Sequence, residues 1–233
     1  MRLNKFLAQS GVASRRKSDE LIKMATTEVN GKVCMNPAYK VGPNDKVLFD
    51  GKQLSLIKEK IVLMFNKPSN VITTVKDNKG RKTVMDYIHN KARVSPVGRL
   101  DKDTKGLLLL TNDGDLHQYL THPKNEVPKD YEVIIEGKLD TKDLKKVSRG
   151  IYIGYKEYGK AEILNNNCHK GRSTLIIRLR QGKKREIRRI FFRLGKKLLD
   201  LKRIKYSNIT LGDLKEGEYR QLTKNEIKKL YDI

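Results

Sequence analysis

The sequence predicts an α+β chain in two parts, a small ααβ segment followed by a larger, strand-rich one. Two short apolar-periodic stretches open the chain and give way to short β-branched runs before residue 50. A polar stretch, Gly51 to Glu59, then reads as a linker. From Lys60 onward, apolar runs bounded by Gly, Asn, Asp and Pro alternate with a few helical patterns. Strand runs broken by turn signals, with helices set between them, are the pattern of a sheet covered by helices.

In order, Leu3, Phe6 and Leu7 share one face of a short helix stopped by Gly11, and Ser14 caps a second helix with Leu21 and Ile22 inward. Arg15, Arg16 and Lys17 fall in the first turn of that second helix. Cations there oppose the helix dipole, so they suit phosphate contact better than helix stability, a solvated basic turn being the alternative. Val29-Asn30-Gly31-Lys32-Val33 is a strand–turn–strand signal, and Val41 and Lys46 to Phe49 supply further strands.

The second part opens with a buried strand, Ile61 to Phe65, ended by Asn66-Lys67-Pro68. Val71 to Val75 is β-branched and reads as a second strand. Val84, Tyr87 and Ile88 suggest a short helix. Val94 to Val97 is extended and leads into the charged turn Gly98-Arg99-Leu100-Asp101. Leu107 to Leu110 is a continuous apolar run closed by Asn112-Asp113-Gly114, and Asp115 reads as the N-cap of a helix holding Leu116, Tyr119 and Leu120. The charged turn thus sits between two core-anchored segments. Asp101 and Asp103 there are either solvated turn residues or, for Asp101, a partly buried carboxylate flanked by cations and poised as nucleophile or acid/base.

Further on, Pro128 to Tyr131 leads into a strand at Glu132 to Ile135, and Asp140 or Thr141 caps a helix with Leu144 and Val147 stopped by Gly150. Polar-linked strands occupy residues 151–170. Leu175, Ile177 and Leu179 alternate with Ile176, Arg178 and Arg180, giving one apolar and one increasingly cationic strand face. The turn at Gln181 to Lys184 precedes a helix with Ile187, Ile190, Phe191 and Leu194 on its core face. Leu198 to Lys205 is extended, further short runs follow, and Thr223 caps a terminal helix with Ile227, Leu230 and Tyr231.

The 233 residues are 37% hydrophobic and carry 51 Lys and Arg against 27 Asp and Glu, a formal charge of +24. That excess favours a polyanionic partner such as nucleic acid. No lipidation motif, basic amphipathic anchor, signal-peptide apolar core or membrane-length run stands out. Cys34 and Cys168 are far apart, and His89, His117, His122 and His169 form no ligand pattern, so a reduced cytoplasmic context without a metal site is expected.

The stretch GRLDKDTKGLLLLTNDGDL closely resembles the central motif of the ribosomal pseudouridine synthases of the small-subunit-A and large-subunit-B type. MFNKPSNVITT and GRKTVMDYI resemble the same family, with details nearest the large-subunit-B branch, and residues 1–50 resemble the RNA-binding domain of ribosomal protein S-four. The resemblance implies an S-four-like domain and linker over residues 1–58 and a catalytic domain over residues 59–233, with a mixed, largely antiparallel sheet flanked by helices. It implies that Asp101 is the catalytic carboxylate, that Tyr131 stacks on the target base and that Arg188 pairs with Asp101. Without it, Tyr131 reads as a strand-end core residue and Arg188 as a phosphate contact or solvated cation. Expected RNA contacts are Arg2, Lys5, Arg15, Arg16, Lys17, Asn30, Lys67, Arg99, Arg185 and Arg189.

The implied reaction breaks a carbon–nitrogen glycosidic bond and rejoins the same base through carbon, so no cofactor, metal or energy source is expected. A carboxylate can attack the sugar or the base, or assist deprotonation at the anomeric carbon. A neighbouring Arg keeps it ionised, and an aromatic face holds the flipped base. The implied substrate is a uridine in ribosomal RNA of the large subunit, free or in an assembly intermediate, acted on by a cytoplasmic monomer. A small-subunit synthase, a non-catalytic assembly factor and a glycosidic hydrolase are the rivals. Departures from the family pattern are Ala25 for Gly, Thr27 for Val, Asn70 for Gly, Gln181 for Glu, Lys183 for Arg and Glu186 for Gln.

Overall fold

The computed structural model describes residues 1–89 and 93–232. The chain falls into two compact units, Met1–Lys60 with Asn112–Gly114, and Ile61–Thr111 with Asp115–Ile233.

In the first unit, α1 (Leu3–Gln9) and α2 (Arg15–Lys23) precede β1 (Thr27–Val29), β2 (Lys32–Val33), β3 (Val47–Phe49) and β4 (Lys52–Gln53). The strands pair antiparallel in the order β2-β1-β3-β4. Leu3, Leu7, Ile22, Val29, Val41 and Val47 form the core. Ser14 caps α2 by accepting from the Lys17 amide at 3.3 Å. The stretch read as linker begins with β4, and Leu54 packs on the core, because β3 needs an edge partner. Two family departures carry a local cost. Ala25 sits at φ +59°, a left-handed conformation that disfavours a side chain. The buried Thr27 hydroxyl has no hydrogen-bond partner among the described residues, where Val would bury none.

The second unit runs β5 (Val62–Lys67), a 3₁₀ turn (Val84–Tyr87), β6 (Ser95–Pro96), β7 (Lys105–Thr111), α3 (Gly114–Thr121) and β8 (Lys129–Glu136). It continues with α4 (Thr141–Arg149), β9 (Ile151–Gly154), β10 (Glu157–Gly159), β11 (Glu162–His169), β12 (Arg172–Leu179) and α5 (Glu186–Arg193). The chain closes with β13 (Leu198–Tyr206), β14 (Ile209–Thr210), β15 (Tyr219–Gln221) and α6 (Lys224–Lys229). The main sheet has the order β11-β12-β8-β13-β7-β5-β15, with β6 on β7 and β14 on β13. Only the β13–β7 pairing is parallel among the described strands. β9 and β10 form a separate hairpin.

The unbroken apolar runs follow from a sheet buried on both faces. Leu108 and Leu110 join Leu63, Phe65, Val133 and Ile177 under α4 and α5, whereas Leu107 and Leu109 join Val62, Met64 and Tyr206 under α3 and α6. Gly106 permits the parallel pairing. At φ +102° it faces Arg203, and a Cβ there would lie 2.2 Å from the Arg203 carbonyl oxygen. Gly106→Ala is therefore expected to cost about 3 kcal/mol, from backbone strain plus forced strand separation. Urea denaturation measures it, and a loss well below that would show that the two strands part easily.

Two expected elements differ. Val71 to Val75 is not a strand; Ile72 makes one isolated bridge with Thr83. Its Thr73 hydroxyl donates to the Leu100 carbonyl at 2.8 Å and accepts from the Leu100 amide at 3.2 Å, so the segment anchors the charged turn instead of extending a ladder. Asp115 lies within α3 rather than capping it, because the helix begins at Gly114.

Candidate active site

The site begins with the loop after β6. Leu100 is buried and bracketed by Thr73, and the Asp101 carbonyl accepts from the Thr104 amide at 3.0 Å to close the turn. Beneath the loop lies Lys67, at the end of β5 and without exposed surface. Its ammonium donates to the carbonyls of Pro68 at 2.8 Å, Lys102 at 3.2 Å and Thr104 at 2.9 Å. Burial pushes that ammonium down to about 8, with Asp103 and Asp101 pulling the other way. Lys67 was expected to touch RNA; its burial turns it into a pin under the loop.

The pinned loop presents the Asp101 side chain, 35% exposed, to two guanidiniums. Arg185 Nη1 lies 3.5 Å and Arg188 Nε 3.8 Å from its Oδ2. Arg188 is the more enclosed, 19% exposed against 46% for Arg185, and its Nη2 donates to the Thr104 hydroxyl at 3.3 Å. Both come from the start of α5, where Arg185 takes a left-handed conformation at φ +51°. The turn before it is held by the buried Glu186, which accepts from the Lys183 amide at 3.1 Å and the Lys160 amide at 3.4 Å. Burial raises the Glu186 carboxyl above its usual range, and these amides partly offset it. The acidic departure at this position therefore faces inward and braces the turn.

A cleft of about 560 Å³ opens over this pair. Asp101, Arg99, Tyr131, Arg185 and Arg188 line it, so the three expected catalytic residues converge. Tyr131 sits within β8, largely buried, and pairs in register with Arg203 of β13. Lys129, two residues earlier on the same strand face, and Arg203 also line the cleft. Sequence reasoning missed both. The period-two spacing to Tyr131 was the available signal for Lys129, and none existed for Arg203. The Arg203 Nε donates to the Leu107 carbonyl at 2.7 Å, and its buried Nη2 has no hydrogen-bond partner among the described residues. Such a donor can serve a carbonyl or phosphate oxygen entering the cleft.

Burial, reinforced by Arg203, pushes the Lys129 ammonium from 10.5 down to about 8. Between those values the unfolded chain holds the proton that the folded one has released, so stability rises with pH there. The stability of the wild type relative to Lys129→Met is expected to be level below about pH 8 and to grow from there to about pH 10.5. Denaturation at a series of pH values tests this, and a flat difference would place the amine in water.

The remaining expected RNA contacts are spread differently. Arg2, Arg15 and Arg16 are exposed in the first unit, Lys5 is half-buried, and Lys17 pairs with Glu20 at 2.8 Å. Asn30 donates to Asp45 Oδ1 at 2.9 Å and accepts from the Lys46 amide at 2.9 Å, locking the β1–β2 turn to β3. Arg189 is absorbed by the fold, bonding the carbonyls of Ile153, Gly154 and Lys184 and pairing with Glu157 at 2.6 Å. It braces the β9–β10 hairpin, so its role as a simple phosphate contact is withdrawn. No group of three or more His, Cys, Asp or Glu side chains is placed to hold a metal among the described residues.

Residues 61–192 match the RNA pseudouridylate synthase family, and residues 1–47 match the S4 domain. The chain belongs to the RNA pseudouridylate synthase family. It is 40% identical over 232 residues to the ribosomal large subunit pseudouridine synthase B of Bacillus subtilis (strain 168), covering 98% of this chain and 95% of that one. An uncharacterized RNA pseudouridine synthase of Aquifex aeolicus (strain VF5) is 38% identical, across 99% of this chain and 94% of its own. A pseudouridylate synthase crystal structure matches with a TM-score of 0.69 and 28% identity, covering 99% of both chains. The synthase is thus an isomerase with an S4 domain ahead of an α+β catalytic fold.

Proposed function

We propose that this synthase isomerises a uridine of large-subunit ribosomal RNA, with Asp101 as its catalytic carboxylate. The observation that carries the residue assignment is the Asp101 carboxylate, held by two arginines at the wall of a cleft that also contains Tyr131. The flanking guanidiniums hold the carboxylate at the cleft wall, where it can attack the sugar or base or assist anomeric deprotonation. Tyr131 offers its ring to the flipped uracil, and Arg188, fixed by Thr104, orients Asp101. Residues 1–58, the S4 domain with its linker, anchor ribosomal RNA through Arg15 and Arg16, and residues 59–233 carry the chemistry. The protein acts in the cytoplasm as a monomer, on RNA or an assembly intermediate. The similarity to the Bacillus large-subunit enzyme supports the choice of subunit. No helix among the described residues is long and apolar enough to cross a membrane.

The test is nucleotide-resolved pseudouridine mapping of large- and small-subunit ribosomal RNA incubated with the purified protein. A single modified uridine in the large-subunit RNA is expected. Modification confined to small-subunit RNA would reverse the subunit assignment, and release of free uracil would mean hydrolysis. Binding without modification would leave an assembly factor. Charge reversal at Arg15 and Arg16 should weaken RNA binding and flatten its salt dependence. An unchanged salt slope would remove the anchoring role from α2.

A further inference from the structure

The β9–β10 hairpin is more aromatic on its outer side than its fold requires. Tyr155 is 91% exposed, Tyr158 62% and Tyr152 45%. Tyr152 and Tyr158 are cross-strand partners whose rings meet edge-on at 5.5 Å. The Arg193 guanidinium lies 5.6 Å from the Tyr152 ring and that of Arg189 5.3 Å from the Tyr155 ring. Exposed Lys156, Lys160 and Lys184 add further positive charge. The inner side accounts for the packing: Ile153 and Gly159 lie against α5, where a Cβ on Gly159 would meet Ile190 at 2.7 Å. Three large rings on the outer side contribute little to that core.

The turn makes the same point through the backbone. Tyr155 and Lys156 take φ of +54° and +59°. Asn-Gly adopts this two-residue turn readily, whereas a bulky side chain there is strained. Among the described residues no other two consecutive non-glycine positions are both left-handed. A ring and a cation thus occupy the tip despite the strain.

The hairpin is also rigidly tied to the catalytic cleft. Arg189, next to Arg188 on α5, bonds the carbonyls of Ile153 and Gly154 at 2.8 Å each. Lys183, which lines the cleft, donates to the Tyr158 carbonyl.

We propose that Tyr152, Tyr155 and Tyr158 form a stacking platform for unpaired bases of the RNA substrate outside the cleft. The partner must supply flat π-faces together with negative charge, and unpaired RNA supplies both. The platform rests on the reading of the protein as acting on RNA. It deepens that reading by naming the substrate class: RNA unpaired beside the target uridine. Bases splayed onto the hairpin would favour the opened backbone that flipping requires.

The chain has no Trp, so Tyr155→Trp installs a unique fluorophore at the tip. Titration with a single-stranded oligouridylate should quench the indole, and a fully paired RNA duplex of equal length should do so far less. A Tyr155→Asn/Tyr158→Thr variant, chosen to respect the turn and strand, should bind the single strand about tenfold more weakly while its duplex affinity changes little. No quench when RNA binding is saturated, or equal quench by duplex, would overturn the platform. So would unchanged affinity in the double variant, or quenching by ribosomal protein but not by RNA. Pseudouridine formation by the wild type is followed on ribosomal RNA in parallel. Quench without modification would remove the proposed activity and leave the platform; modification without quench would do the reverse.

Discussion

Asp101→Asn is expected to abolish uridine isomerisation, lowering the single-turnover rate by at least about 10³-fold, or about 4 kcal/mol of barrier. The substitution keeps shape and removes charge. The loop does not depend on that charge: Lys67, Thr73 and the Thr104 amide hold its backbone. Among the described residues the carboxylate contributes two ion pairs, at 3.5 and 3.8 Å, both partly open to water. Stability should therefore change by less than about 1 kcal/mol. RNA affinity should hold, since one negative charge leaves a cationic cleft. Asp103→Asn, exposed in the same turn, should be far milder. Activity of Asp101→Asn within a few-fold of wild type would end the catalytic assignment, and equal losses at both positions would point to the wrong carboxylate.

Arg188→Met should follow, with turnover reduced about 10²-fold or more and RNA affinity little changed. Arg185 would remain beside Asp101, so one of its ion pairs would persist. What would be lost is the enclosed guanidinium that joins Asp101 to Thr104 across the loop. Arg188→Lys should recover only part of the rate, because a point charge replaces a planar fork. Arg189→Met should instead lower the melting temperature, leaving three carbonyls and Glu157 without their shared donor. Single-turnover kinetics at saturating RNA, beside a binding titration, separates these cases. A full rate with lost affinity at Arg188→Met would make that residue a phosphate contact.

Much of this was readable in the sequence because it was local. Ser14, Asp140 and Thr223 accept the amide bonds their cap positions announce. The Leu107 to Leu110 run is a strand buried on both faces, and the apolar face of α5 falls where its spacing put it. What escaped was set by tertiary context. Val71 to Val75 has strand propensity, but its Thr73 hydroxyl is taken up in anchoring Leu100. In a chain with 51 Lys and Arg, Lys67 looks like one more RNA contact, and only the three carbonyls above it show otherwise. Arg189 misled for the same reason. Arg203 could not be located without knowing that β13 would lie beside β8, opposite Tyr131.

The parallel pairing of β7 with β13 has a kinetic side. It joins Gly106 to Arg203, and the Arg203 Nε reaches the Leu107 carbonyl across 96 positions of sequence. Hairpins such as β11–β12 close over short loops, whereas this contact must overcome the entropy of a very long one. The cleft wall includes Leu201, Arg203 and Tyr206, so it is incomplete until β13 has docked. During synthesis Asp101 leaves the ribosome long before Arg203 does. A nascent chain therefore displays its carboxylate early but cannot enclose a base until β13, through Tyr206, has been added and has docked.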